Sequence, residues 1–199
     1  MEKTLVAASG KKMKSISEEE IPFEVPNNWC WIPLDELGIT QTGTTPSASK
    51  SVYLGNHIPF IKPAVVTPTG IDYSNEGLSK KGLELARMIS APAVIMVCIG
   101  GSIGKCFYTD RNISCNQQIN TITPYLPEMQ QYIYRVLSSQ YFFEKIKEKA
   151  GGTATPIINK GQWISVLIPV PPLAEQERIV KRIEELFSAV DNLFKPQAA

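Results

Sequence analysis

Histidine occurs once in this chain, at His57, and the four cysteines, Cys30, Cys98, Cys106 and Cys115, form no Cys-x-x-Cys pair. That set is too sparse and too scattered for a zinc site. It points to reduced, mostly buried thiols in a cytoplasmic protein. No window approaches the roughly eighteen consecutive apolar residues that a membrane span needs. The amino-terminal lysines precede no apolar run of the kind that a secretory signal carries. One glycine-rich stretch, Gly100-Gly101-Ser102-Ile103-Gly104-Lys105, invites a phosphate-loop reading and fails it. That loop needs glycine where Ile99 stands, and serine or threonine where Cys106 stands. A strand, a tight turn and a second strand fit better. Val94 to Ile99 is the best buried strand in the sequence, and Cys106-Phe107-Tyr108 is again strand-like.

What is present suits one globular domain with an appendage: 199 residues, 43% apolar and 20% charged. A net charge of +1 excludes nothing, but its distribution is uneven. Residues 1–40 hold four basic and seven acidic groups, residues 41–165 twelve basic and seven acidic, and residues 166–199 four basic and five acidic. The middle segment therefore carries a surplus of +5, a modest footprint for an anionic partner.

Residues 1–20 are polar and read as a flexible lead-in. Prolines keep Ile21 to Pro26 extended, and Trp29 and Trp31 alternate on one strand face, where core packing is the default. Asp35 to Leu37 suggests a helical turn. Thr40 to Ser51 is a hydroxyl-rich loop, and Ile58 to Val66 is strand-like. Thr67 to Lys81 is polar, and Leu83 to Ile89 could form a short helix. The alternation of Ile119 to Pro124 predicts a half-buried strand. The preceding Asn116-Gln117-Gln118 suits loop bracing better than base reading. Ile133, Val136, Leu137, Phe143 and Ile146 predict one helix over 129–150, ended by Gly151, with Lys145, Lys147 and Lys149 complementing its carboxyl end. Gly151 to Lys160 is a second hydroxyl-rich loop, and Trp163 to Val170 reads as the last strand.

After Pro171-Pro172 the pattern becomes helical. Ile179, Ile183, Leu186, Val190 and Leu193 fall on one heptad seam, with Val180, Phe187 and Phe194 beside it. An amphipathic helix lying on its own domain and a coiled-coil strand both fit. The stripe is wide enough for one flank to lie on the domain while the other stays exposed.

The wording of these segments carries more than their periodicity. The stretch IPVPPLAEQERIVKRIEELF, with its P-L-x-E-Q-x-x-I-V pattern, resembles the conserved region of type I restriction–modification specificity subunits. EIPFEVPNNWCWIPLDELG resembles the family's entry segment, through a Pro-x-x-Trp-x-Trp-x-x-Leu pattern. TGTTPS, GGSIGKCFY, NQQINTITP and GGTATPIIN resemble landmarks of its target-recognition domain, and all stand in the family's order. The resemblance implies a mixed α/β (α+β) target-recognition domain over 21–170, after the lead-in of 1–20, and a spacer or dimerisation helix over 171–195. Full-length members usually carry two such units; this chain carries one.

By the same resemblance the function is sequence-specific recognition of double-stranded DNA. The implied partners are a modification subunit carrying S-adenosylmethionine and a restriction subunit that translocates and cuts. S-adenosylmethionine, ATP and magnesium are expected on those partners and no cofactor in this chain. The missing chemistry agrees with a reader that is not an enzyme. There is no (Asn/Asp)-Pro-Pro-(Tyr/Phe) motif to hold a flipped base. No acidic residue has lysine two places on, as a restriction-type nuclease would need. Phosphate-contact candidates, chosen by loop and chemistry, are Lys50, Lys62, Lys80, Lys81 and Lys160. Base-reading candidates are Thr44, Thr45, Ser47, Thr153, Thr155 and Asn159. A homodimer, or a second recognition unit, is expected to pack on the Ile179, Ile183, Leu186, Val190 and Leu193 seam. The rival readings are a recognition fragment of a fused methyltransferase or nuclease, and a module whose only work is the coiled coil.

Overall fold

The structure is a computed structural model that describes residues 16–47, 51–152 and 154–194. In chain order the strands are β1 (Cys30–Pro33), β2 (Gly38–Thr42), β3 (Leu54–Ile61), β4 (Val66–Thr67), β5 (Gly70–Ile71), β6 (Gly77–Leu78), β7 (Ala93–Val97), β8 (Cys106–Thr109), β9 (Ser114–Cys115), β10 (Ile119–Pro124) and β11 (Leu167–Val170). The helices are α1 (Lys80–Glu84), α2 (Gln130–Leu137), α3 (Gln140–Lys149), α4 (Lys160–Ile164) and α5 (Leu173–Leu193). The mixed helix-and-sheet class expected from the sequence is the one observed.

The centre is an antiparallel sheet in the order β2-β10-β7-β8. Its organiser is β7, all five of whose residues are buried. Side chains alternate across a strand. Val94 and Met96 accordingly enter a core with Leu34, Ile133, Phe142, Trp163 and Ile168, while Ala93, Ile95 and Val97 enter a second with Ile61, Val66, Ile89 and Ile113. A strand covered on both faces must read as an unbroken apolar run, which is how the sequence reads. A smaller sheet, β6-β3-β9, lies on the second-core side and supports α1. The pair β1–β11 joins the two ends of the domain, with Cys30 opposite Val170 and Pro33 opposite Leu167.

Four expectations need correction. The hydroxyl-rich loop read from Thr40 starts only at Gly43, because residues 40–42 complete β2 opposite residues 120–122. The single helix over 129–150 is two helices, because Ser139 caps α3 by accepting from Phe142 N at 3.3 Å, while Ser138 Oγ donates back to Tyr134 O at 2.8 Å. The break turns Phe142 and Ile146 fully into the core. The strand expected from Trp163 begins only at Leu167. Asn159 and Gln162 form a reciprocal capping box that starts α4 and drives Trp163 inward, fully buried. The helix expected over 83–89 lies earlier, at α1, where Ser79 accepts from Gly82 N. Of the lead-in, residues 1–15 fall outside the described residues. Glu18–Glu20 forms a short 3-10 turn in which the Ser17 amide and hydroxyl both donate to Glu20 Oε2.

All four cysteines are free. Cys98 and Cys115 are buried, and loss of solvent pushes both thiols up to about 12. Among the described residues no His, Cys, Asp and Glu group could hold a metal, and no helix is long and apolar enough to cross a membrane.

Candidate nucleic-acid interface

The register of the central sheet decides where the loops go. Thr42 lies opposite Asn120, Ile119 opposite Val97, and Met96 opposite Cys106. The exit of β2, the entry of β10, the exit of β7 and the entry of β8 therefore share one end. The loop after β2, the segment 116–118 and the glycine turn between β7 and β8 all project there.

The 116–118 segment is the hub. Thr44 N donates to Cys115 O at 2.8 Å, Asn116 N to Ile61 O at 3.1 Å, and Cys98 N to Gln118 O at 2.8 Å. Asn116 braces it from within: Oδ1 accepts from Gln118 N at 3.2 Å, and Nδ2 donates to Gln118 Oε1 at 2.8 Å. The bracing expected of these amides is observed, through side chains rather than backbone alone. Gly43 lets the β2 loop reach the hub. A Cβ there would stand 2.2 Å from Asn116 O and 2.3 Å from Cys115 O, both backbone atoms that cannot yield.

On one flank Thr45 donates from Oγ1 to Gln117 Oε1 at 2.6 Å. Thr45, Ser47 and Lys62 line one small cleft with Tyr53, Phe60 and Glu76. Lys62 is already engaged, paired with Glu76 and lying 5.7 Å over the Phe60 ring, so its charge is partly spent within the fold. Lys80 and Lys81 are exposed on α1, which packs on the turn Ser51–Tyr53 and on β3. On the other flank the loop after α3 is stitched to the end of β7. Ile158 N donates to Cys98 O at 3.1 Å, and Gly100 N to Pro156 O at 2.8 Å. Thr155 is exposed there. Asn159 spends its side chain as the α4 cap, and Lys160 opens that helix, half-buried. Lys50 and Thr153 lie outside the described residues.

The sheet end thus brings together Thr44, Thr45, Ser47 and Lys62 on one side and Thr155, Asn159 and Lys160 on the other. It also holds residues that the sequence did not single out as DNA contacts. Gln117 is exposed beside Thr45. Lys105 is exposed in the glycine turn, where a Cβ on Gly104 would come within 2.7 Å of the Phe143 ring. Lys147 lies 5.3 Å over that same ring, and Lys149 is tied to α4 because its carbonyl accepts from Gln162 Nε2 at 2.7 Å. The three segments that carry Lys105, Lys147 with Lys149, and Lys160 therefore lie against one another. The signal for Lys147 and Lys149 was present, but a helix carboxyl end explained them locally.

The seam helix leaves from the opposite end of the sheet, where the turn Pro127–Met129 after β10 contacts α5. Ile179 and Val180 pack on the main core and Ile183 is half-buried. Leu186, Val190 and Leu193 are 50%, 46% and 81% exposed. The division expected between the two flanks of the stripe thus runs largely along the helix, docked near its base and bare beyond.

Comparison with known proteins gives this arrangement a family. The model of the type I restriction modification DNA specificity domain matches residues 26–195. The HindI specificity subunit of Haemophilus influenzae is 31% identical over 151 residues, 74% of this chain and 33% of that protein. The EcoR124I/EcoR124II specificity subunit of Escherichia coli is 25% identical over 170 residues, 82% of this chain and 42% of that one. The crystal structure of the HsdS subunit from Thermoanaerobacter tengcongensis shares the fold, with a TM-score of 0.70 at 20% identity, covering 89% of this chain and 42% of that chain. This chain spans about a third to two-fifths of the length of the curated relatives it matches. By the extent of the family match, the chain belongs to the type I restriction modification DNA specificity domain family.

Proposed function

We propose that the chain is one DNA-reading unit of a type I restriction–modification specificity subunit. The observation that carries this reading is the gathering, at one end of a rigid sheet, of braced hydroxyl and amide loops flanked by lysines. Lysines there would hold phosphates and set register, while Thr45, Gln117 and Thr155 are presented where base edges could be read. The unit chooses the site and performs no chemistry itself. Methyl transfer and cleavage fall to modification and restriction subunits, which would carry S-adenosylmethionine, ATP and magnesium.

The same reading includes pairing through α5. Full burial of a large apolar side chain is worth about 1.5–3 kcal/mol. Leu186 and Val190 forgo about half of that in the single chain and Leu193 most of it. A second α5, packed two-fold and antiparallel, would cover them. The 21 residues of α5 make a rod of about 32 Å at ~1.5 Å per residue. That is near the ~34–36 Å of one DNA turn, so the pair could set two units over a divided site.

Selection from a randomised duplex pool tests the function. The purified chain, alone and with a modification subunit, should enrich one defined sequence, more strongly in the complex. Retention of DNA with no enriched sequence in either arm would remove the reading.

A further inference from the structure

Besides the apolar packing of Ile179 and Val180 on the main core, polar side chains hold the helix α5 to the domain at two places. At its base the Gln176 side chain, buried, donates from Nε2 to Pro171 O at 2.9 Å, and Asn28 Nδ2 donates to Glu175 Oε2 at 3.1 Å. The second hold is Arg135 on α2. Its Nη2 stands 3.6 Å from Glu184 Oε1, and its guanidinium lies 5.2 Å from the Tyr134 ring centre and 5.5 Å from that of Phe187. The Arg135 side chain is 20% exposed, and its Nε is buried with no hydrogen-bond partner among the described residues. A cation placed in that way is held by rings and by one carboxylate, not by a polar network.

Stability is a poor explanation for this arrangement. The Glu184 side chain is 54% exposed, and an ion pair that open to water contributes little. Geometry is the better one. Glu184 lies eight residues beyond Gln176, about 12 Å up the helix at ~1.5 Å per residue. Two pins that far apart, with Ile179 and Val180 packed between them, fix the direction of a rod more tightly than the base pin and that packing alone. Packed helices otherwise tolerate crossing angles scattered by about 15°. Across a rod of about 32 Å that scatter moves the far end by roughly 8 Å, more than two nucleotide steps of ~3.4 Å.

We propose that Arg135 is a positioning residue that sets the angle at which α5 leaves the recognition domain, and so fixes the gap between half-sites that a paired assembly accepts. The proposal rests on the DNA-reading and pairing proposed above. Arginine suits the task because its planar group can lie flat against Tyr134 and Phe187 while pointing at Glu184; lysine offers only a point charge.

The test uses duplexes that carry the selected half-site twice, with the gap varied one base pair at a time. Wild type is compared with Arg135→Lys and with Glu184→Arg, which sets two cations against each other at an exposed position and so spares folding. Wild-type affinity should fall roughly tenfold one step from the preferred gap, the order of one mismatched base pair. Both variants should flatten or shift that profile while keeping single-half-site affinity and melting temperature. A sharp wild-type profile that both variants reproduce overturns the role of Arg135 alone. A flat wild-type profile overturns it together with the pairing that it serves.

Discussion

Two glutamines mark the difference between the two ends of the central sheet. Gln130, at the helix end, is buried and donates from Nε2 to Ala93 O at 3.1 Å and to Thr109 O at 2.8 Å, tying the start of β7 to the end of β8. Gln117, at the loop end, is exposed and accepts from Thr45 at 2.6 Å. One amide serves the backbone. The other is a surface group whose only described partner is another surface group. The helix end spends this amide on closing the fold, whereas the loop end keeps Gln117 at the surface even though Asn116, Asn159 and Lys62 are spent within the fold. Stability and recognition should therefore respond to different substitutions.

The largest expected effect is at the helix end. Leu34→Ala empties a site that is 0% exposed and should cost about 2–5 kcal/mol, read by chemical denaturation. Gly43→Ala tests the boundary, since it lies at the loop end yet meets backbone atoms within 2.3 Å. It should cost about 1–3 kcal/mol through overpacking, and it should also disturb DNA selection by moving the loop off the hub. A neutral result would mean that the loop end is softer than its hydrogen bonds imply.

Leu186→Glu sharpens the contrast along α5. The residue is half-exposed, so the folded chain should keep its stability to within about 0.5 kcal/mol. Sedimentation should nevertheless show a dimer for wild type and a monomer for the variant. The smallest effect is expected from Lys105→Ala combined with Lys149→Ala. Binding should weaken evenly across DNA sequences, and the log–log salt slope should fall by about 0.9 for each phosphate no longer neutralised. A change confined to one sequence would make these lysines readers instead.

The sequence showed more of the first end than of the second. The apolar run at 94–99 marked β7 because a strand buried on both faces has no polar alternation to hide it. The heptad marked α5, but not where the domain stops covering it, since that depends on Arg135 and on the turn Pro127–Met129 from elsewhere in the chain. The break missed at Ser138-Ser139 is a capping signal that lay inside an apolar pattern and was outweighed by it, and the helix start missed at Asn159 is a cap that the surrounding loop composition hid. At the loop end, composition picked residues 43–47 and 154–158 as loop, but it also took in residues 40–42, which belong to β2, and Lys160, which opens α4. It could not see that Asn159 is consumed as a cap or Lys62 as a partner of Glu76. Nor could it see that the glycine turn carrying Lys105 packs on Phe143, the ring that Lys147 overlies, because only the fold brings these segments together.

The central claim is that the loop end reads sequence. Its most direct test repeats the duplex selection with Thr45→Ala and with Gln117→Ala, exposed changes expected to leave stability within about 0.5 kcal/mol. The account predicts that each variant still binds DNA but relaxes the preference at one or two positions of the enriched site. An enriched site identical to that of wild type in both variants would contradict it.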